Sequence, residues 1–380
     1  MAFIHSGSEE CTKSELDLFQ IAPTQTSIEK CLYIEVSPLA ALSESVPLDF
    51  FISGNGDDYL DLNNTLLYLC CKIVKEVGTD LDRNAKVSLV NFPITSIFSQ
   101  LDGTLGDRLI TQSHNAYPYS GFNEAVLNYS NDTLNTQFSA GLFYKDTAVQ
   151  HESTVLDGDN KGFVKRAALA AESRKIDLLG QLHSDLFFQE KLLLNGVDVK
   201  IKLTRSKDAF FLMVDDLNRG CKLNIFSASL FIKKVRVTPD VRLGHAEALF
   251  TANAKYPVDH VGIKVFGIPA GSCVSNQENL ILGQLPKLLV FGLVDNESFR
   301  GAHNENPFNF KHYDINFFTF YLDGEQVPTK PLQPDFEAGN RMRKYMQLAQ
   351  ATGKHMKDRS LFVNRKEFAL REEFAHTICI

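Results

Sequence analysis

The sequence predicts a mainly β protein, an antiparallel sandwich plan repeated in two tandem blocks with short inserted helices. Three observations predict it. The first is the stretch His183 to Val237, whose middle reads LLLNGVDVKIKLTRS. Asn195-Gly196 suits a two-residue type I′ turn, in which both central residues need φ > 0. After it Val197, Val199, Ile201 and Leu203 alternate with Asp198, Lys200, Lys202 and Thr204, a period of two that gives one buried and one solvated face. The second is the run Lys222 to Val237, β-branched or aromatic at most positions and free of Pro until Pro239. The third is composition: 29 Phe, no Trp and 5 Met. Phe favours strands and has no polar atom to satisfy, so it suits a dry sandwich core.

Taken in order, residues 1–45 mix polar and short apolar pieces, and 14–29 reads as an extended arm that needs another surface. Asp57 to Val74 is the first long strand, introduced by a turn at Gly54-Asn55-Gly56. Ser88 to Ile110, broken by Pro93, Asp102-Gly103 and Gly106-Asp107, reads as short strands and turns. Phe122, Val126 and Tyr129 share a helical face opened by Ser120. Residues 130–160 are Asn/Asp/Ser-rich and predict a long surface loop. Lys161 to Lys175 predicts a helix or a solvated excursion, since few aromatics interleave its basic residues.

Phe187-Phe188 and Leu192–Leu194 supply the partner strand before the Asn195-Gly196 turn. Thr238-Pro239 ends the first block, giving an arm at 1–45, a first domain at 46–239 and a second at 240–380. The second block offers strands at 256–269, 285–294 and 313–330, with a two-residue hairpin signal at Asp323-Gly324. Met342, Tyr345, Met346 and Ala349 share one face of a helix at about 336–352, with Gly353 as its stop.

At 380 residues the length fits two to three domains of ~150 residues. A net charge of −7 argues against a dedicated nucleic-acid binder, whose surface must neutralise phosphates. The seven Cys show no CxxC or Cys/His pairing, and adjacent Cys70 and Cys71 in a strand must face opposite ways. Reduced thiols in an intracellular, non-secreted chain follow, so the sequons at Asn63, Asn128 and Asn131 are expected to stay unglycosylated. No signal architecture opens the chain and no apolar run approaches the ~18 residues of a membrane span.

The motifs that could carry chemistry are weak. DGDNKG (157–162) begins like a calcium loop but has Lys161 at its fifth position and Ala168 where the bidentate Glu belongs, so a surface turn is expected. GNGDDY lacks the third Gly of a dinucleotide fingerprint and reads as a hairpin turn. His303 and His312 flank NENPFNFK at no metal spacing, which predicts an ordered Asn-rich loop. His183 beside Asp185 is a conceivable dyad, yet without a Gly-flanked Ser or activated Cys a hydrogen-bonded sheet-edge His is favoured. The sequence therefore predicts no catalytic, cofactor-binding or metal-ligating residue, and no enzyme.

Several blocks together resemble one family. SELDLF…PTQTSIE, DDYLDLNNTLLYL, LHSDLFFQEKLLLNGVDVKIKL, ENLILGQLPKLLVFGLVDN and NPFNFKHYDINFFTFYLDGEQVPTKPLQPDF resemble, in the same order from about residue 14 to residue 374, the major capsid protein of Polinton (Maverick) elements and the related adintoviruses. The resemblance implies a double jelly-roll. It also implies a structural coat subunit, or its endogenous genomic relic, that self-associates as a homotrimer into pseudo-hexameric capsomers. Its partners would be neighbouring capsomers and a penton or minor capsid protein, and its location the virion capsid. The alternative from the residues is a host jelly-roll enzyme or carbohydrate-binding protein. The sequence departs from the family pattern at 99–110, where relatives show a cleaner strand and hairpin. Relatives also continue for several tens of residues after a segment like Glu373-Phe374-Ala375, whereas this sequence closes with HTICI. The reading therefore expects an open second sandwich, with Phe317, Phe318 and Phe320 under-covered and residues 354–380 poorly packed.

Overall fold

The computed structural model describes residues 14–16, 18–19, 21, 24–218, 220–336, 342–369 and 377–379. Its first half carries ten strands: β1 (Ile28–Val36), β2 (Leu48–Ile52), β3 (Asp58–Val74), β4 (Val87–Leu89), β5 (Phe98–Leu105), β6 (Arg108–Gln112), β7 (Ile176–Gln181), β8 (Val199–Arg205), β9 (Leu212–Val214) and β10 (Lys222–Val237). Eight of them form two four-stranded antiparallel sheets, ordered β1-β10-β3-β7 and β2-β8-β5-β6, while β4 and β9 pair separately. In chain order the first four of these eight strands alternate between the two sheets, β5 and β6 stay in one sheet as a hairpin, and the last four alternate again, which is jelly-roll order. The mainly β antiparallel class is thus the one expected.

Period two decides the packing. Leu67, Leu69, Cys71 and Ile73 of β3 face Phe50, Ile52, Leu101, Val199, Ile201 and Leu203 of the opposite sheet in one buried cluster. On β8 the three apolar residues are at most 1% exposed while Lys200 and Lys202 face water, the predicted register. Val197 is half-buried, just ahead of the strand. Cys71 points inward, where burial pushes its thiol up to about 12, and Cys70 faces the other way.

Several expectations change. Gly196 has φ 83°, but Asn195 is not among the residues with positive φ, so the turn is not type I′. Leu193 bridges Leu60 of β3, whereas β8 pairs with β2 and β5. The turn therefore passes the chain from one sheet to the other, because alternation specifies a buried face and not a pairing partner. Gly54-Asn55-Gly56 makes the matching crossover from β2 to β3 and is not a hairpin. The two crossovers touch: Gly196 N donates to Gly54 O at 2.7 Å, Gly54 N donates to Asp198 Oδ1 at 2.8 Å, and a Cβ on Gly54 would stand 2.4 Å from Val197 N. Phe187 and Phe188 lie in a 3₁₀ turn, Asp185–Phe188, which sends Phe187 into the core. The segment 99–110 forms the β5–β6 hairpin.

Residues 130–160 are not a surface loop. Ser130 Oγ accepts from Thr133 N to open the helix Asn131–Thr136, a 3₁₀ turn follows, and Leu142, Phe143, Asp146, His151 and Asn160 are buried. The Asp146 carboxylate and Asn160 Oδ1 find partners inside, so composition misled. Helices lie at Tyr117–Asn128 and Lys161–Ala170, in the two regions expected, but the first opens at Tyr117 after Ala116, with Pro118 in its first turn, and Ser120 lies inside it instead of opening it. β1 lies within the segment assigned to the arm and is an edge strand of the first sheet, whereas Leu16, Leu18, Phe19 and Ile21 are exposed. Residues 1–13 of that segment lie outside the described residues.

The boundary region forms the helix Pro239–Leu249, tied to β3 by Tyr59 Oη and His245 Nδ1 at 3.0 Å. Between Leu249 and Leu288 the chain has neither strand nor helix, so the strand expected at 256–269 is absent. Its alternating apolar residues find no partner strand, and Val261 and Val265 are 58% and 57% exposed. Then follow β11 (Leu288–Val290), β12 (Phe318–Leu322), β13 (Glu325–Leu332) and β14 (Thr377–Cys379), paired β11 with β14 and β12 with β13. Asp323 and Gly324 both have positive φ between paired Leu322 and Glu325, the two-residue primed turn predicted. Phe317 is exposed and Phe318 and Phe320 are half-buried.

The helix Met342–Ala351 ends at Gly353 (φ 66°), with Lys354 N donating to Ala349 O and Gly353 N to Gln350 O, a Schellman stop. Its buried residues are Lys344, Leu348 and Ala349, while Met346 faces out, a rotation of the predicted stripe. Residues 337–341 of the expected helix lie outside the described residues. Lys354, Phe362, Val363 and Phe368 are buried, so this segment is anchored at those four positions, while 356–360 and 364–366 are exposed as expected of a poorly packed end; residues 370–376 and 380 lie outside the described residues.

Candidate functional site

The densest polar construction lies where the second half meets the first. Asn160 Oδ1 accepts from Phe163 N and starts the helix Lys161–Ala170, which carries Arg166 inward. The Arg166 side chain has no exposure and that of Asp146 only 3%. Arg166 Nη2 meets Asp146 Oδ1 at 2.7 Å, Nε donates to Leu89 O at 2.8 Å, and Nη1 donates to Tyr144 O. Asp146 Oδ2 accepts from Asn306 Nδ2 at 3.0 Å, and Asn306 Oδ1 accepts from Phe308 N. Burying a guanidinium is costly unless its donors find acceptors, and here two carbonyls and a carboxylate take three of its five N–H groups.

Aromatic packing surrounds this pair. Phe308 stacks on Phe122 with centroids 4.4 Å apart, and Phe362 stands edge-on to Phe143 at 5.7 Å. Lys145 Nζ sits 4.2 Å over the Phe362 ring and 2.8 Å from Glu367 Oε2. Lys354 Nζ donates to Tyr129 O at 2.6 Å and to Val126 O, at the C-terminal end of the helix Tyr117–Asn128. The cavity left among Asn91, Asp146, His151 and the rings is about 20 Å³, room for a single water. Chemically the arrangement fastens two parts of a chain together.

The residues singled out in the sequence are not brought together. His183 Nδ1 meets Glu124 Oε2, not Asp185, and its ring lies 5.1 Å from Phe92. Asp185 instead accepts from Thr111 Oγ1 and faces His260 Nδ1 at 2.5 Å. His303 lies against Leu212 O, while His312 stacks on Phe336 at 3.7 Å. NENPFNF is the ordered Asn-rich loop expected, and it is inserted into the first half. Sequence reasoning missed Arg166, Asp146 and Asn306. The usable signals were an Arg in an Ala-rich helix and an Asn-Pro-Phe-Asn-Phe run too apolar for a free loop. Among the described residues no group of three or more His, Cys, Asp or Glu is placed to hold a metal ion, and no helix is long and apolar enough to cross a membrane.

No known family model matches this chain. It is similar to an uncharacterized protein of Caenorhabditis elegans, 25% identical over 342 residues, covering 87% of this chain and 78% of that one. Among solved structures it is similar to one from the Sputnik virophage determined by cryo-EM, with TM-score 0.44 and 14% identity over 63% of this chain and 54% of that chain. It is also similar to the Faustovirus major capsid protein, with TM-score 0.39 and 9% identity over 61% of this chain and 58% of that chain. For the mavirus major capsid protein the TM-score is 0.32 and the identity 11%, over 63% of this chain and 54% of that chain. The chain thus spans little more than half the length of these solved relatives.

Proposed function

We propose that this chain is a structural coat subunit of a Polinton-like mobile element or virus, or a genomic relic of one, and that it acts through its surfaces. The observation that carries the reading is the jelly-roll strand order of the first half, an architecture shared by coat subunits and lectin-type binders. Cavity size favours the former. The cavities at the seam and beside His183 are each about 20 Å³, whereas small-molecule sites run to ~300–1,000 Å³. In this proposal residues 1–45 form an arm that lends β1 to the sandwich, 46–239 the first jelly-roll and 240–380 the second. Homotrimers contact neighbouring capsomers and a penton or minor capsid protein in the virion.

Full-length protein examined by sedimentation and electron microscopy tests this. A coat subunit forms trimers or shells through interfaces of ~2,000 Å² or more. A stable, folded monomer across concentrations that assemble such interfaces would refute it.

A further inference from the structure

Asn-Gly occurs twice in the chain, at Asn55-Gly56 and Asn195-Gly196, and the fold sets the two dipeptides against each other where the sheet crossovers touch. An asparagine followed by glycine is chemically labile, because no side chain shields the glycine nitrogen from the neighbouring amide carbon. Both glycines stand in open space, with nothing within 4 Å of where a Cβ would lie, so crowding does not separate the two sites. Hydrogen bonding does. Gly196 N donates to Gly54 O at 2.7 Å, and Asn195 Nδ2 donates to Gly56 O at 2.9 Å, so the nucleophile and the leaving amide of that dipeptide are both tied. At the other dipeptide Asn55 and Gly56 are exposed. Asn55 N donates to Ser53 Oγ at 3.2 Å, but among the described residues neither Gly56 N nor the Asn55 side chain has a hydrogen-bond partner.

We propose that Asn55 is a spontaneous modification site, converted in the folded chain to aspartate and isoaspartate, and that the crossover contact holds Asn195 back. This does not depend on the coat-subunit reading. The Gly56 nitrogen gives its proton to water and attacks Asn55 Cγ. A five-membered succinimide forms, the Cγ–Nδ2 bond breaks, and the amide nitrogen leaves as ammonia, taking a proton back from water. A further water then opens the ring at either carbonyl, giving aspartate or isoaspartate. In balance, one water is consumed and one ammonia released. Either product sets a new carboxylate beside Asp57 and Asp58. Isoaspartate also lengthens the backbone by one carbon next to Gly54, which has no room even for a Cβ against Val197, so the crossover loosens as the chain ages. For Asn195 to react, its two hydrogen bonds must first open, and at ordinary net strength the pair slows it about thirtyfold.

Full-length protein aged in the folded state at neutral pH, then mapped by peptide mass spectrometry with isoaspartate-specific methyltransferase labelling, reads the two sites separately. Residue 55 should convert about thirtyfold faster than residue 195. In guanidinium chloride the tertiary contact is gone, and the two rates should become nearly equal. A folded-state ratio below about fivefold, the least that two weak hydrogen bonds give, overturns the proposal. So does a ratio that persists in denaturant, since local sequence and not the fold would then set it.

Discussion

Replacing Asp146 by Ala should destabilise this protein more than most other single polar substitutions. The Arg166 side chain has zero exposure, and without Asp146 it keeps only the carbonyls of Leu89 and Tyr144. Breaking a buried pair by removing one partner costs about 3–5 kcal/mol. Loss of the Asn306 acceptor adds about 1 kcal/mol. Against a typical total of about 5–15 kcal/mol, that is roughly a quarter of the stability or more. With a urea m-value of about 3 kcal/mol/M, the midpoint should fall by about 1.5 M. The control is Asp146→Leu with Arg166→Met, which removes both charges and should lie within about 1–2 kcal/mol of wild type. Asn306→Leu alone should cost about 1–3 kcal/mol and be less than additive with Asp146→Ala, since both break one network. A midpoint for Asp146→Ala within 0.3 M of wild type, roughly 1 kcal/mol at that slope, would refute the reasoning.

Three further outcomes are expected. Gly54→Ala sets a Cβ 2.4 Å from Val197 N, a backbone clash that should cost at least about 1–3 kcal/mol in urea melts; an unchanged midpoint would mean that the crossovers do not touch. Burial lowers the Lys344 ammonium to about 7, and burial with the nearby Arg359 charge lowers Lys354 to about 8. The folded chain then binds fewer protons than the unfolded one above those values, so thermal stability should rise from pH 7 to 9 and the rise should vanish in Lys344→Met with Lys354→Met. Above pH 9 the buried thiols and phenols, pushed up by burial, act in the opposite sense. Limited proteolysis should cut first between residues 250 and 287, and the two pieces should stay together on a sizing column through the seam. Free release of the C-terminal piece would show that the Phe308 and Phe362 packing is too weak to hold it.

What was legible in the sequence follows from the range over which each signal acts. Alternation on β8 fixes which side chains are buried, because one slip of register inverts every residue. The Asp323-Gly324 turn and the Gly353 stop were legible for the same reason, since backbone conformation at one or two residues decides each. Asn195-Gly196 carried as strong a local signal and was misread. Its neighbours Leu193 and Val199 bury in opposite sheets, a fact set by Leu60 and Ile52, far away in the chain. The seam was illegible on the same principle. A stretch rich in Asn, Asp and Ser is polar on average, yet Asp146 is buried because Arg166 and Asn306 donate to its two oxygens, and Asn160 because its Oδ1 accepts from Phe163 N. Composition gives the cost of burying a polar group and is silent on whether a partner waits for it. The partner of Asp146 comes from residue 306, on the far side of a stretch with no regular structure. The first sandwich borrows Phe308, Phe310 and Phe362 to finish its core. Its stability is in part a property of the second half.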